Sequence, residues 1–221
     1  MELLQNIEIE TAPNPQVAVI WLHGLGADGN DFVPLVNELD LSGLPGIRFV
    51  FPHAKTMPVT INGGYVMRAW YDITGAELTR REDEGGLRAS QRDVEALIAR
   101  EKARGIPASR IILAGFSQGC AMTLQTGMRH PEKLAGMLCL SGYLPLANVV
   151  ANERTPESLA TPVFMAHGTH DNVVPFARAR ESKELLVSLG YGVEWHEYAM
   201  QHSLCLEEVQ DISKWLRKVI A

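Results

Sequence analysis

Several short runs of this chain are apolar at every position, and this feature restricts the possible folds more than any other. The runs at 17–22 (Val-Ala-Val-Ile-Trp-Leu), 111–114 (Ile-Ile-Leu-Ala) and 137–140 (Met-Leu-Cys-Leu) leave no polar side for solvent. Strands of this kind are typical of parallel sheets, because helices cover both faces of such a sheet. The runs alternate with longer stretches of helical periodicity. This alternation predicts an α/β fold with a mainly parallel sheet.

Seven strands and five helices are predicted. The strands are Asn6–Glu10, Val17–Leu22, Ile47–Phe51, Ile111–Ala114, Ala135–Leu140, Val163–Ala166 and Gly192–Tyr198. The helices are Asp31–Leu39, Leu87–Arg104, Gln118–Arg129, Phe176–Leu189 and Leu204–Val219. Only six residues, 11–16, join the first two strands, which is too short for a crossover. We therefore expect these two strands to form an antiparallel pair at the edge of the sheet.

The segment Pro52–Gly85 contains proline, glycine, methionine and aromatic residues without a clean period. A long irregular segment in a compact fold usually has a function or is mobile, so we interpret it as an excursion on the substrate side. The chain has 221 residues and shows no internal repeat or linker. These features predict a single domain over residues 1–221.

Composition excludes several classes of function. A net charge of −6 argues against a surface for nucleic acid or anionic membrane, since phosphates attract an excess of lysine and arginine. Three cysteines at distant positions predict neither a disulfide scaffold nor a zinc site. The first residues lack the positively charged segment and the apolar segment that make up a signal peptide. No apolar run is long enough for a membrane span. A cytoplasmic location is expected.

The sharpest local motif is Gly115-Phe116-Ser117-Gln118-Gly119. A predicted strand precedes it and a predicted helix follows it. A turn of this type exposes the serine hydroxyl in a strained conformation, while the two glycines let the strand and the helix approach closely. The motif predicts Ser117 as a nucleophile. The alternative is a serine that only caps the helix in a glycine-rich turn.

A nucleophilic serine needs a base and an acid, which follow it in the order acid, then histidine, in this type of fold. Asp171 lies in the loop after the predicted strand Val163–Ala166, so it is the candidate acid, with a turn-forming aspartate as the alternative. Seven histidines compete for the role of base: His23, His53, His130, His167, His170, His196 and His202. Only His202 lies in the loop between the last strand and the last helix. It is the candidate base.

The oxyanion of acyl transfer needs fixed N–H donors. We expect one from Gln118, which follows the nucleophile, and one from Leu25 in the glycine-rich loop after the second strand. The spacing Gly24-x-Gly26-x-x-Gly29 also fits a dinucleotide loop. However, no acidic residue ends the next strand, where Val50-Phe51-Pro52-His53 stands instead, so nucleotide binding is disfavoured.

Together these motifs resemble the bacterial carboxylesterases and acyl-protein thioesterases of the phospholipase/carboxylesterase family, over nearly the whole chain. The shared segments are His23–Gly26, Pro52–Ala54, Trp70–Asp72, Gly105–Pro107, Arg110–Leu113, Gly115–Gly119, Asp171 with Val174-Pro175, and His202-Ser203. One departure is Cys120, which stands where many relatives have glycine.

The resemblance implies an α/β-hydrolase fold without a cap domain and the same roles for Ser117, Asp171, His202, Leu25 and Gln118. It also implies an acyl groove whose apolar walls include Met67, Trp70 and Val173. No metal or organic cofactor is implied, and a homodimer is left open.

The expected function is a serine carboxylesterase that acts on small esters with short to medium acyl chains. An acyl-protein thioesterase or a lysophospholipase would use the same residues. A serine peptidase, and a binding protein without activity, are alternatives of other kinds.

Overall fold

A computed structural model describes residues 3–75 and 82–220. Nine strands lie in these ranges: β1 (Asn6–Glu10), β2 (Val17–Leu22), β3 (Ile47–Pro52), β4 (Thr56–Val59), β5 (Tyr65–Arg68), β6 (Ile111–Phe116), β7 (Gly136–Leu140), β8 (Val163–Gly168) and β9 (Val193–Tyr198). The α-helices are α1 (Glu84–Ala103), α2 (Gln118–Gly127), α3 (Val150–Glu153), α4 (Phe176–Ser188) and α5 (Leu206–Ile220). Short 3-10 helices lie at Pro34–Asn37, Thr60–Asn62, Ala108–Arg110 and Glu157–Ala160. No helix of the described ranges is long and apolar enough to cross a membrane.

Seven strands form one sheet in the order β1-β3-β2-β6-β7-β8-β9. All neighbouring pairs are parallel except β1 with β3. Alternate residues of β2 belong to different clusters: Ile20 packs with residues of α1 and α2, and Trp21 packs with residues of α5. The sheet is therefore covered on both faces, and the predicted α/β fold is confirmed.

The predicted pairing of the first two strands is wrong. β1 is antiparallel and lies at the edge, but its partner is β3, with Ile7 opposite Phe51. All six residues of β3 are buried, whereas β1 alternates between half-buried and exposed residues. An apolar strand such as β3 gains more from an interior position, so it separates β1 from β2.

The predicted helix Asp31–Leu39 is also wrong. Turns and the short 3-10 helix Pro34–Asn37 occupy this region. Pro34 has no N–H and cannot donate to the carbonyl of Asn30, which interrupts an α-helical ladder. The observed bonds instead span three residues, as in Leu35 N–H to Phe32 O at 3.1 Å.

The segment Pro52–Gly85 is more regular than predicted. β4 and β5 form an antiparallel hairpin, with Met57 opposite Met67. Each strand has only four residues, two of them exposed, and the sequence shows no clear alternation of apolar and polar positions. Residues 76–81 of this segment lie outside the described ranges.

Candidate active site

Ser117 occupies a sharp turn between β6 and α2, near the middle of the sheet. Its φ of 56° and ψ of −117° are strained for a residue with a side chain. Packing around the turn excludes larger residues. A Cβ atom on Gly115 would lie 2.2 Å from the carbonyl oxygen of Gly119, and one on Gly119 would lie 2.1 Å from that of Leu22. The two glycines therefore permit the contacts that hold Ser117 in its strained conformation.

Asp171 and His202 come from different loops and meet at one contact. Asp171 follows β8, His202 follows β9, and Asp171 Oδ2 lies 2.6 Å from His202 Nδ1. The other carboxylate oxygen, Oδ1, accepts the N–H groups of Val173 at 2.8 Å and Val174 at 2.9 Å. The carboxylate is completely buried and fixed by these contacts. A carboxylate held in this way can fix the orientation and tautomer of the imidazole.

The His202 ring packs against the side chain of the residue before the predicted nucleophile. Its centroid lies 4.7 Å from that of Phe116, the residue that immediately precedes Ser117. With Nδ1–H donated to Asp171, Nε2 carries the lone pair that a general base requires. Two side chains distant in sequence are thus brought to the carboxyl end of β6.

Ser117, Leu25 and Gln118 line a common cavity. The loop that carries Leu25 is held on both sides by hydrogen bonds, from Ala27 N–H to Gly24 O and from Gly26 N–H to Arg68 O. Within residues 3–75 and 82–220, the N–H groups of Leu25 and Gln118 donate to no protein acceptor. Both N–H groups are therefore available for an anion that forms next to Ser117.

A buried polar network connects this loop to the turn at Ser117. The Gln118 side chain accepts the N–H of Trp70 at 2.8 Å and donates to the carbonyl of Tyr71 at 2.7 Å. The Trp70 indole N–H donates to the carbonyl of His23 at 2.9 Å. Sequence reasoning missed this network, because nothing in the motif marks the amide side chain of Gln118 as a clamp.

His23 is the innermost member of the network. Its Nε2 accepts the N–H of Ala54 at 3.0 Å, so Nδ1 carries the proton and donates to the carbonyl of Gly24 at 2.7 Å. Burial lowers the pKa of His23 to about 4. A neutral histidine thus fixes the beginning of the Leu25 loop near neutral pH.

The cavity at Ser117 has a volume of about 400 Å³ and is lined mainly by apolar and aromatic groups. Ile61, Tyr71, Tyr143 and Val173 are among its walls. A wider cavity of about 500 Å³ lies near Lys55 and Arg68 and contains none of the predicted catalytic residues. We take the cavity at Ser117 as the candidate site because the predicted nucleophile, the predicted N–H donors and apolar walls converge there.

The three predicted wall residues occupy different environments. Val173 lines the cavity and is 59% exposed. Trp70 is only 2% exposed and its indole is part of the buried network, so it supports the site from behind. Met67 is not a lining residue of this cavity, and its sulfur lies 3.5 Å from Asn62 Nδ2.

Cys120 is completely buried at the start of α2. A Cβ atom on Gly142 would lie 2.5 Å from both Cβ and Sγ of Cys120. The side chain at this departure from the family pattern is therefore accommodated by a glycine on the facing loop.

Comparison with known proteins agrees with this architecture. The family profile described as Phospholipase/Carboxylesterase matches residues 5–220. Acyl-protein thioesterase 1 of Yarrowia lipolytica is 39% identical over 207 residues, which cover 91% of each chain. Acyl-protein thioesterase 1 of Neurospora crassa is 41% identical over 208 residues, covering 90% of this chain and 84% of that protein.

The fold also matches a solved structure. Arabidopsis thaliana SOBER1 superposes with a TM-score of 0.87 at 30% identity, covering 93% of this chain and 99% of that one. The predicted family is thus confirmed. The restriction to bacterial enzymes is not, because these similar proteins come from fungi and a plant.

Proposed function

Because the chain belongs to the phospholipase/carboxylesterase family of α/β-hydrolases, we propose that it is a serine hydrolase that cleaves acyl thioesters, with carboxylic esters as further substrates. The observation that carries the proposal is the 2.6 Å contact between Asp171 and His202, at the same end of the sheet as the strained turn of Ser117. The thioester preference is supported by the similarity to acyl-protein thioesterases along nearly the whole chain.

In the proposed mechanism, the Ser117 hydroxyl attacks the acyl carbonyl while His202 Nε2 accepts its proton. Asp171 orients the imidazole and stabilises its positive charge without being protonated itself. The N–H groups of Leu25 and Gln118 stabilise the oxyanion, and loss of one such donor typically slows a reaction by about 10²–10³-fold. The C–S or C–O bond then breaks, and the protonated His202 gives its proton to the departing thiolate or alkoxide. Water hydrolyses the acyl-enzyme by the reverse sequence of proton transfers.

A fluorophosphonate probe separates this function from that of a binding protein. We expect one covalent label, located on Ser117 by peptide mapping, and no label in Ser117→Ala. Ser188→Ala provides a matched control, because Ser188 lies at the end of α4, far from the cavity. An unlabelled folded wild type would contradict the proposal.

Rates on matched substrates test the substrate class. Acyl-CoA thioesters, nitrophenyl esters and lysophospholipids of equal acyl length, compared by kcat/KM, should favour the thioester. Higher values for short esters would instead indicate a carboxylesterase, the second function named by the family. An amide substrate cleaved as fast as the nitrophenyl ester would indicate a peptidase. The cytoplasmic location and the single domain stay predictions, and the oligomeric state is untested.

A further inference from the structure

A second histidine faces the carboxylate of Asp171. His167, near the end of β8, is only 1% exposed. Its Nε2 lies 2.9 Å from the carbonyl oxygen of Val174 and 3.3 Å from Asp171 Oδ2. His167 therefore contacts both ends of the turn that carries the proposed acid.

These contacts determine the tautomer of His167. A lone pair on Nε2 would face the carbonyl oxygen of Val174 and a carboxylate oxygen at close range, which is electrostatically unfavourable. The proton therefore lies on Nε2, which donates to Val174. Burial lowers the pKa of His167, so the ring is neutral near physiological pH. Among the described residues, Nδ1 has no hydrogen-bond partner.

The surroundings of the acid contain few other charges. Among the described residues, the titratable groups in contact with Asp171 are His167 from β8 and His202 from the loop after β9. The other rings against the two imidazoles are apolar: Phe176 of α4 faces His167, and Phe116 of β6 faces His202. The dipole of a neutral imidazole can act at short range here, because little solvent or charge screens it.

We infer that His167 is a positioning residue of the acid–base pair, through two effects of its Nε2–H group. The hydrogen bond to Val174 fixes the turn 171–174 and with it the distance from Asp171 to His202. The positive end of the N–H dipole, 3.3 Å from Oδ2, opposes protonation of His202. This inference rests on the proposed roles of Asp171 and His202.

The second effect gives a measurable signature. Removal of the dipole leaves the negative charge of Asp171 less compensated, so the protonated form of His202 becomes more favourable. A protonated His202 cannot act as the base. The acid limb of the pH profile should therefore move to higher pH. A purely structural role for His167 would change the rate without moving this limb.

Two variants of His167 and one control test the inference, all assayed with a nitrophenyl ester from pH 5 to pH 9. His167→Leu removes the donor, and we expect kcat to fall about 10-fold or more because the acid is displaced. The midpoint of the acid limb should rise by about 0.5 pH unit. His167→Gln places an amide N–H near the position of Nε2, so it should recover most of the lost kcat and return the limb toward that of the wild type.

The control is His130→Leu. It makes the same chemical change at another buried histidine, beyond the far end of α2, where neither ring nitrogen has a hydrogen-bond partner among the described residues and Nε2 lies 4.0 Å from Glu132. It should keep the wild-type rate and pH profile.

Two results would overturn the inference. One is an unchanged acid limb in His167→Leu, whatever its rate. The other, which applies also when His167→Leu does not fold, is an acid limb in His167→Gln displaced by a full unit or more. If the wild type is active, either result refutes only the role of His167 and leaves the proposed function standing. A wild type that hydrolyses no ester and takes no fluorophosphonate label refutes the proposed function instead.

Discussion

The two sides of the candidate site are held by different forces. On the side of the Leu25 loop, Gln118 and Trp70 make neutral hydrogen bonds to backbone groups, and these bonds are buried. On the opposite side, a buried carboxylate at Asp171 meets a partly exposed imidazole at His202. The first arrangement is part of the core, whereas the second depends on one charge. We therefore expect substitutions on the side of the Leu25 loop to lower both the free energy of unfolding and kcat. Substitutions on the side of Asp171 should lower mainly kcat.

The largest effect is expected for Asp171→Asn. The asparagine oxygen can still accept the N–H groups of Val173 and Val174, so the turn is retained. Its NH₂ group would face His202 Nδ1 and favour the wrong imidazole tautomer, which lowers kcat by about 10³–10⁴-fold in an enzyme of this type. Steady-state kinetics measures the rate, and urea unfolding should show a stability close to that of the wild type. Near-full activity in the folded variant would mean that another residue is the acid.

Gln118→Ala tests the opposite side. It leaves the N–H of Trp70 and the carbonyl of Tyr71 buried without partners, which should cost about 2–5 kcal/mol of unfolding free energy. We also expect a lower kcat, because the Leu25 loop loses its connection to the turn at Ser117. Urea unfolding and ester hydrolysis measure the two effects.

Gln125→Ala is the matched control, a buried glutamine on the same helix that donates to Gln91 at 2.9 Å. It should be less destabilising and leave kcat unchanged. Equal losses of unfolding free energy with full activity in both variants would show that the Gln118 network does not support the site. The two sides of the site would then not differ in the way proposed.

A smaller effect on the free energy of unfolding is expected from protonation of His23 at low pH. The unfolded chain protonates His23 near pH 6.5, whereas the folded chain resists protonation until about pH 4. The contribution of His23 to stability is therefore complete above pH 6.5 and is lost as the pH falls toward 4, by up to roughly 3 kcal/mol. Urea unfolding at pH 7, 5.5 and 4.5 measures this loss.

His23→Gln sharpens the same test. The glutamine oxygen can accept the N–H of Ala54 but does not titrate, so the loss of stability toward low pH should be smaller in this variant. Part of the slope should remain, because burial also lowers the pKa of His130 and of His167. A slope equal to that of the wild type would show that protonation of His23 does not destabilise the Leu25 loop.

Some parts of the site could be predicted from the sequence because they depend on neighbouring residues or on chain order. The turn at Ser117 is a local motif in which two glycines, a strand and a helix are contiguous, so its geometry follows from neighbouring residues. Asp171 and His202 are remote from it, but parallel strands place the loops after β6, β8 and β9 at the carboxyl end of the sheet. Their contact could therefore be anticipated from chain order, while their catalytic roles stay proposals.

The supporting residues could not be predicted in this way. The family resemblance implies Trp70 as a cavity wall, but its indole N–H donates to the carbonyl of His23 and the side chain is buried. His167 lies only four residues before Asp171, and this spacing does not predict a contact between the two side chains. The chain turns between them, and this turn brings the imidazole against the carboxylate. Such contacts depend on tertiary packing, which residue type and spacing do not encode.

The most direct test of the proposed nucleophile is rapid-quench mass spectrometry during turnover of a medium-chain acyl-CoA. Acid stops the reaction, and peptide mapping then locates any acyl group on the protein. We expect an added acyl mass on the peptide that contains Ser117, and none in Ser117→Ala. Turnover that continues in Ser117→Ala, or an acyl group found on another residue such as Cys205, would contradict this expectation.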